Sequence, residues 1–200
     1  MAVTTVNTFG TSTLGVLGIR GYFRPTAGAG WVDLGSIKNW EPSDEIEELE
    51  ISGARSGLTV VYETLPISAA LSYGFDSENP NDTDILELWN GGAFAAGVDG
   101  DVSPISFQNT EGELMWVREN AQSTKPSQIL FHPKANIRRD GQGGTPGEEA
   151  SGLTFTVSVL ADESYVIPAA VDAATPAAEY GYLYVVPTAS LDAATTAAST

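Results

Sequence analysis

Apolar and polar residues alternate along much of this chain with a period of two, the period of a half-buried β-strand. The clearest case is residues 67–75, where Ile67, Ala69, Leu71, Tyr73 and Phe75 alternate with Ser68, Ala70, Ser72 and Gly74. Leu153, Phe155, Val157 and Val159 alternate in the same way with Thr154, Thr156, Ser158 and Leu160. Leu58, Val60 and Tyr62 begin a third such run. Further strands are predicted over residues 16–24, 31–37, 105–108, 114–118, 128–138 and 180–186, with Pro133 interrupting the fifth of these. Turns fall at Gly28-Ala29-Gly30, at Ala54-Arg55-Ser56 between Gly53 and Gly57, and at Glu111-Gly112; residues 141–147 read as a flexible loop.

One segment carries a helical period. Asn79-Pro80-Asn81-Asp82-Thr83 supplies turn and N-cap chemistry, and Asn90-Gly91-Gly92 supplies a stop. Between them Ile85, Leu88 and Trp89 share one face, so a helix over about 83–90 can lie flat on a sheet. The sum is a mainly β protein of about eight to ten short strands. Its expected form is a two-sheet β-sandwich or partly closed barrel with one flanking short α-helix and a long acidic loop at about 38–57. Residues 1–165 form that domain, with residues 1–15 irregular or arm-like. Residues 166–200 read as an Ala/Thr-rich C-terminal arm or tail, because a run of Ala, Thr and Ser has little to bury.

Charge narrows the partners. Lys and Arg number 9 against 26 Asp and Glu, a net charge of −17. Binding to nucleic acid through its phosphates needs clustered bases, and this chain is the reverse. The same charge keeps it off anionic membrane surfaces. There is no cysteine, which excludes disulfides and thiolate metal sites. MAVTTVNTFG lacks the features of a signal peptide, and no window approaches the roughly 18 apolar residues of a membrane helix. A soluble protein made in the cytoplasm is expected.

Catalytic chemistry is sparse, and no enzyme and no cofactor are expected. His132, the single histidine, has no nucleophile motif beside it and reads as structural or surface. Asp99-Gly100-Asp101 and residues 79–84 lack EF-hand spacing and read as turns. With 26 acids, no one pair of carboxylates is informative. Trp31, Trp40, Trp89 and Trp116 could line a carbohydrate platform but are more simply core or subunit-contact residues, Trp40 being the candidate for a contact.

The densest feature is acidic. Residues 41–50 read EPSDEIEELE, six carboxylates in ten residues and no base. Glu47, Leu49 and Ile51 alternate with Glu48, Glu50 and Ser52, so the run can form an extended ribbon with one strongly charged face. A solvated linker has no need of Ile46, Leu49 and Ile51.

The order of these features resembles that of the major tail tube proteins of long-tailed, siphovirus-like bacteriophages. The resemblance is carried by Trp31-Val32-Asp33-Leu34-Gly35 after a first strand, and by the acidic segment and Gly-containing turn at 41–57. It continues through the strand pair over 58–75, the helix ending in Gly91-Gly92, Ala135-Asn136-Ile137, and the strand over 153–160. It covers roughly residues 9–165, and the ordered set carries it rather than any one motif. It implies hexameric rings stacked into a virion tail tube whose acidic lumen passes DNA without binding it. Its implied partners are further copies of itself and the tape measure, tail terminator and distal tail proteins. It also implies that the loop at 38–55 reaches a neighbouring subunit. The expected contact residues are Trp40, Glu41, Asp44, Glu45, Glu47, Glu48, Leu49, Glu50, Ile51, Arg55, Arg138 and Arg139. The alternative is a β-sandwich binding module or virion decoration protein that recognises carbohydrate.

Overall fold

The structure, a computed structural model, describes residues 17–26, 30–55, 58–106, 108–121, 125–143, 152–172, 174 and 176–199, and the side chains of 17, 47–69, 142 and 143 lie outside the description. Residues 1–15, the turns at 28–29 and 56–57, and most of the loop at 141–147 also lie outside it.

The described strands are β1 (Leu17–Pro25), β2 (Val32–Asp33), β3 (Ile37–Arg55), β4 (Leu58–Ser77), β5 (Ala95–Ala96), β6 (Asp101–Val102), β7 (Thr110–Asn120), β8 (Pro126–Gly143), β9 (Gly152–Val159) and β10 (Tyr182–Pro187). Helix α1 (Thr83–Asn90) follows β4, and α2 (Leu191–Ala198) ends the described chain. Eight strands form one antiparallel sheet in the order β2-β1-β7-β8-β9-β4-β3, with β10 also beside β8; β5 and β6 pair apart from it.

The two edges of that sheet are consecutive in the chain. Only Leu34-Gly35-Ser36 separates β2 from β3, and four Cα steps reach at most about 14 Å. A flat sheet of this order would hold its edges roughly 29 Å apart. The sheet therefore curls until the edges nearly meet. Leu34 N–H donates to the Gly21 carbonyl at 2.8 Å, while Ser77 Oγ donates to the Leu34 carbonyl at 2.7 Å. Of the two expected forms, the mainly β chain takes the partly closed barrel.

The predicted alternation fills its interior. Phe23, Tyr73, Phe75, Leu114, Trp116, Ile137, Phe155 and Val157 are all buried there. Phe75 stacks on Phe155 at 5.2 Å and meets Trp116 edge-on at 5.2 Å. Helix α1 lies as expected: Asp82 Oδ1 accepts from the Asp84 and Ile85 amides, Gly91 takes the left-handed conformation at φ 69°, and Ile85 and Leu88 are buried.

Other expectations are corrected. The acidic segment is not a loop but strand β3, paired with β4 from Ile37↔Ser77 to Arg55↔Leu58. The expected strand over 31–37 is broken where the chain crosses between edges. The two strands expected over 58–75 are one strand, β4. Glu111-Gly112 is no turn but part of β7, where the bare glycine lets β1 come close: a Cβ there would collide with the Arg24 carbonyl and the Phe23 ring. No strand forms at residues 105, 106 or 108. Pro133 sits where β8 has one extra residue against β7, a bulge that needs no amide hydrogen.

The expected C-terminal arm is packed rather than free. Around 166–178 the chain makes a short excursion closed by the Val166↔Ala177 bridge, then returns as β10 alongside β8. Leu191, Ala194 and Ala198 of α2 then pack against Met115, Val117, Ile129, Phe131 and Val186 on the outside of the barrel. Alanine suffices there because the helix lies close to an apolar sheet face.

Candidate functional site

The sequence's densest feature becomes the longest element. β4 pairs with β9 only over Leu71–Ser77. Beyond Leu71, β3 and β4 pair with no other strand among the described residues, so residues 45–55 and 58–70 leave the barrel as a two-stranded ribbon. At about 3.3 Å per residue it extends roughly 35 Å.

A bulge marks its base. Asn39, at φ 50°, is the sole non-glycine residue in the left-handed region among the described residues. It falls where β3 carries one extra residue between Lys38↔Asp76 and Glu41↔Gly74, and asparagine tolerates that conformation. Asn39 Nδ2 donates to Asp76 Oδ2 at 2.6 Å, and Asp76 Oδ1 accepts from Thr154 Oγ1 at 2.6 Å. Next to it Trp40 stacks on Tyr73 at 5.8 Å, lies edge-on to Trp116 at 6.0 Å and carries the Arg118 guanidinium 5.4 Å above its ring. Trp40 thus packs against the barrel core of its own chain.

The described acids of β3 are solvent-facing. Glu41, Asp44 and Glu45 are exposed, as is Ile46. The side chains of Glu47, Glu48, Leu49, Glu50, Ile51 and Arg55 lie outside the described residues; their backbones pair with β4.

Arg138 and Arg139 do not join the ribbon. Register runs Arg138↔Thr156↔Gly74↔Glu41, one row across four strands. Arg138 and Glu41 therefore share a face but stand three strand spacings apart, roughly 14 Å. Arg139 points the other way, and its guanidinium lies 4.2 Å from the Trp89 ring of α1. Both arginines, with Gln108, Asn109 and Asp140, line a recess of about 300 Å³. A second groove of about 380 Å³ runs along α1 beside Pro25, Val32, Leu88 and Ala93.

None of the four tryptophans is exposed: Trp116 is fully buried, and Trp31, Trp40 and Trp89 are half-buried. Trp31 packs edge-on to Phe131 at 6.2 Å and donates to the Ser199 carbonyl at 3.3 Å; Trp89 donates to the Gly141 carbonyl at 3.0 Å. They do not line up as a stacking platform.

Sequence reasoning missed the aromatic layer on the outer face. Phe131 stacks with both Tyr165, at 5.7 Å, and Tyr182, at 5.4 Å. Burial pushes the Tyr165 hydroxyl up to about 12 and raises that of Tyr182 as well. The alternation of Tyr182 and Tyr184 was the available signal. No helix among the described residues is long and apolar enough to cross a membrane.

No protein-family model and no curated protein matches the chain.

Proposed function

We propose that this chain is a structural subunit that assembles with copies of itself into stacked hexameric rings, forming the tail tube of a long-tailed bacteriophage. The β3–β4 ribbon carries the reading. A two-stranded ribbon is marginally stable alone and presents unpaired edges that accept further strands. A ribbon roughly 35 Å long leaving the barrel core is therefore built to lie on a neighbour. The charge fits the same role: a wall made from a chain of net charge −17 repels phosphates, so DNA passes without sticking. The ring number and the tail proteins as partners come from the resemblance in feature order.

Electron microscopy of the concentrated purified protein tests the proposal. Rings or tubes of uniform width are expected. A strict monomer at high concentration, both alone and with other tail components, would overturn it.

A further inference from the structure

We infer that copies of the chain stack head to tail, the β5–β6 hairpin of one copy seating in the open end of the next copy's barrel. The inference rests on the reading of the chain as a self-assembling subunit, and adds the contact that sets the polarity of the stack.

The barrel has two unlike ends. At one, β1 and β4 finish, β7 begins, and α1 packs across the opening, its Trp89 donating to Gly141 near the end of β8. The hairpin belongs to this end: Ser103 Oγ donates to the Gly92 carbonyl at 2.8 Å and Ser106 N–H to the Asn90 carbonyl at 2.8 Å. Its tip is closed by Gly97 N–H donating to Gly100 O at 2.8 Å. At the other end β8 begins, flanked by β10, with Leu183 opposite Leu130. Leu130 and Gly141 are separated by roughly 35 Å of strand.

Among the described residues, the exposed large hydrophobic side chains other than Val166 and Tyr180 lie at these two ends. Val98 (100%), Val102 (63%) and Ile105 (69%) lie on the hairpin and the segment after it. Ile46 (60%), Leu183 (54%) and Val185 (52%) lie at the open end. Register puts the second set on one side. Leu183 shares a face with Leu130, which packs on the barrel core, and Val185 follows it by two. Ile46 follows the Asp44↔Leu71 pair by two, and Leu71 also packs on that core. All three continue the concave inner face beyond the closed part of the barrel.

A second copy is the occupant that accounts for both sets. Each end offers apolar area that water disfavours, and one contact covers both. Charge sets the orientation. Asp99 and Asp101 follow Val98 on the hairpin. At the open end Arg118 shares a row and a face with Gln128 and Val185, and Asp44 stands on the β3 side. Head-to-tail seating brings the hairpin acids to a mouth where Arg118 offsets Asp44; head-to-head seating sets Asp99 and Asp101 of one hairpin against those of the other with no base on either hairpin. A head-to-tail contact that does not close on itself propagates as an open stack.

The test uses two double variants of the full chain, with circular dichroism as the check that each folds. Val98→Asp with Ile105→Asp blocks the head; Leu183→Asp with Val185→Asp blocks the mouth. Each alone should form single rings and lose tubes entirely. Mixed, they should form particles two layers thick and no more, since one free mouth meets one free head. The milder Val98→Thr and Leu183→Thr serve if an Asp pair misfolds, and should shorten tubes severalfold. Tubes of wild-type length from either double variant, or a mixture that stays single-layered, would overturn the contact. Wild-type protein that forms neither rings nor tubes overturns the subunit reading itself and this contact with it.

Discussion

Tyr73 Oη and His132 Nε2 meet inside the molecule at 2.8 Å, and the other nitrogen of the same ring, Nδ1, lies 2.6 Å from the Tyr180 carbonyl. A carbonyl only accepts, so Nδ1 carries a proton; burial lowers the ring's pKa, so near neutral pH it carries no second one, and Tyr73 donates to a bare Nε2. The imidazole is neutral and ties three parts together: β8, the ribbon strand β4, and the segment that leads into β10. Gly181 makes the approach feasible, since a Cβ there would collide with the Phe131 carbonyl.

Burial lowers the His132 pKa below its ordinary 6.5, outweighing the hydrogen bond to Tyr180, which acts the other way. Between the folded and unfolded values the unfolded chain binds a proton that the folded chain refuses. The stability contributed by neutral His132 is therefore full above about pH 6.5 and falls as pH drops toward the folded value. The single histidine makes this direct to read. Its imidazole resonances should titrate with a midpoint below 6.5, and urea midpoints should fall between pH 7.5 and 5.5. His132→Gln should be less stable at pH 7.5 and lose part of that dependence. An imidazole midpoint at or above the ordinary value would refute the assignment.

Helix α1 yields a local prediction. Asp82 caps it through Oδ1, which accepts from two amides at 3.0 and 3.4 Å. Asp82→Ala should destabilise the protein by about 1 kcal/mol, read from the shift in denaturation midpoint. Asp82→Asn keeps the acceptor and should recover most of the loss.

Helix α1 was legible because its signals are local: a cap, a face of Ile85 and Leu88, and a glycine stop. The barrel strands were legible for the same reason, with Tyr73 and Phe75 alternating against Gly74. Helix α2 was not. LDAATTAA has few bulky side chains, and what fixes it lies far away in sequence, on Met115, Val117, Ile129 and Phe131. Trp31 and Arg24 hold its end through the Ser199 carbonyl.

Leu191 is the helix's one large buried side chain, 3% exposed. Leu191→Ala should cost about 2–5 kcal/mol, far more than an unpacked tail could lose. A change within experimental error would mean that α2 does not cover the outer face in solution.

The acidic run was legible as an extended ribbon, since Glu47, Leu49 and Ile51 alternate, but its partner strand was not. The pairing of Glu41 with Gly74 depends on register across more than thirty residues and on the bulge at Asn39, which no local pattern encodes. Trp40 stands at the start of the run, so composition alone suggested a contact residue. The bulge beside it packs its ring against Tyr73 and Trp116.

Shape and charge in the ribbon can be separated. Ile46 pairs with Ala69, so replacing residues 47–68 by Asn-Gly shortens the ribbon without changing register at its base. The barrel should keep its fold, because β4 pairs with β9 only from Leu71 onward, and assembly should stop. Converting Glu41, Asp44, Glu45, Glu47, Glu48 and Glu50 to Gln or Asn keeps the ribbon and removes its charge. Tubes that still form but retain DNA, with retention falling as salt rises, would assign the acids to repelling phosphate. Loss of tubes in that variant would instead assign them to pairing with a neighbour's bases. Normal assembly by the shortened chain would remove the ribbon from the subunit contact altogether.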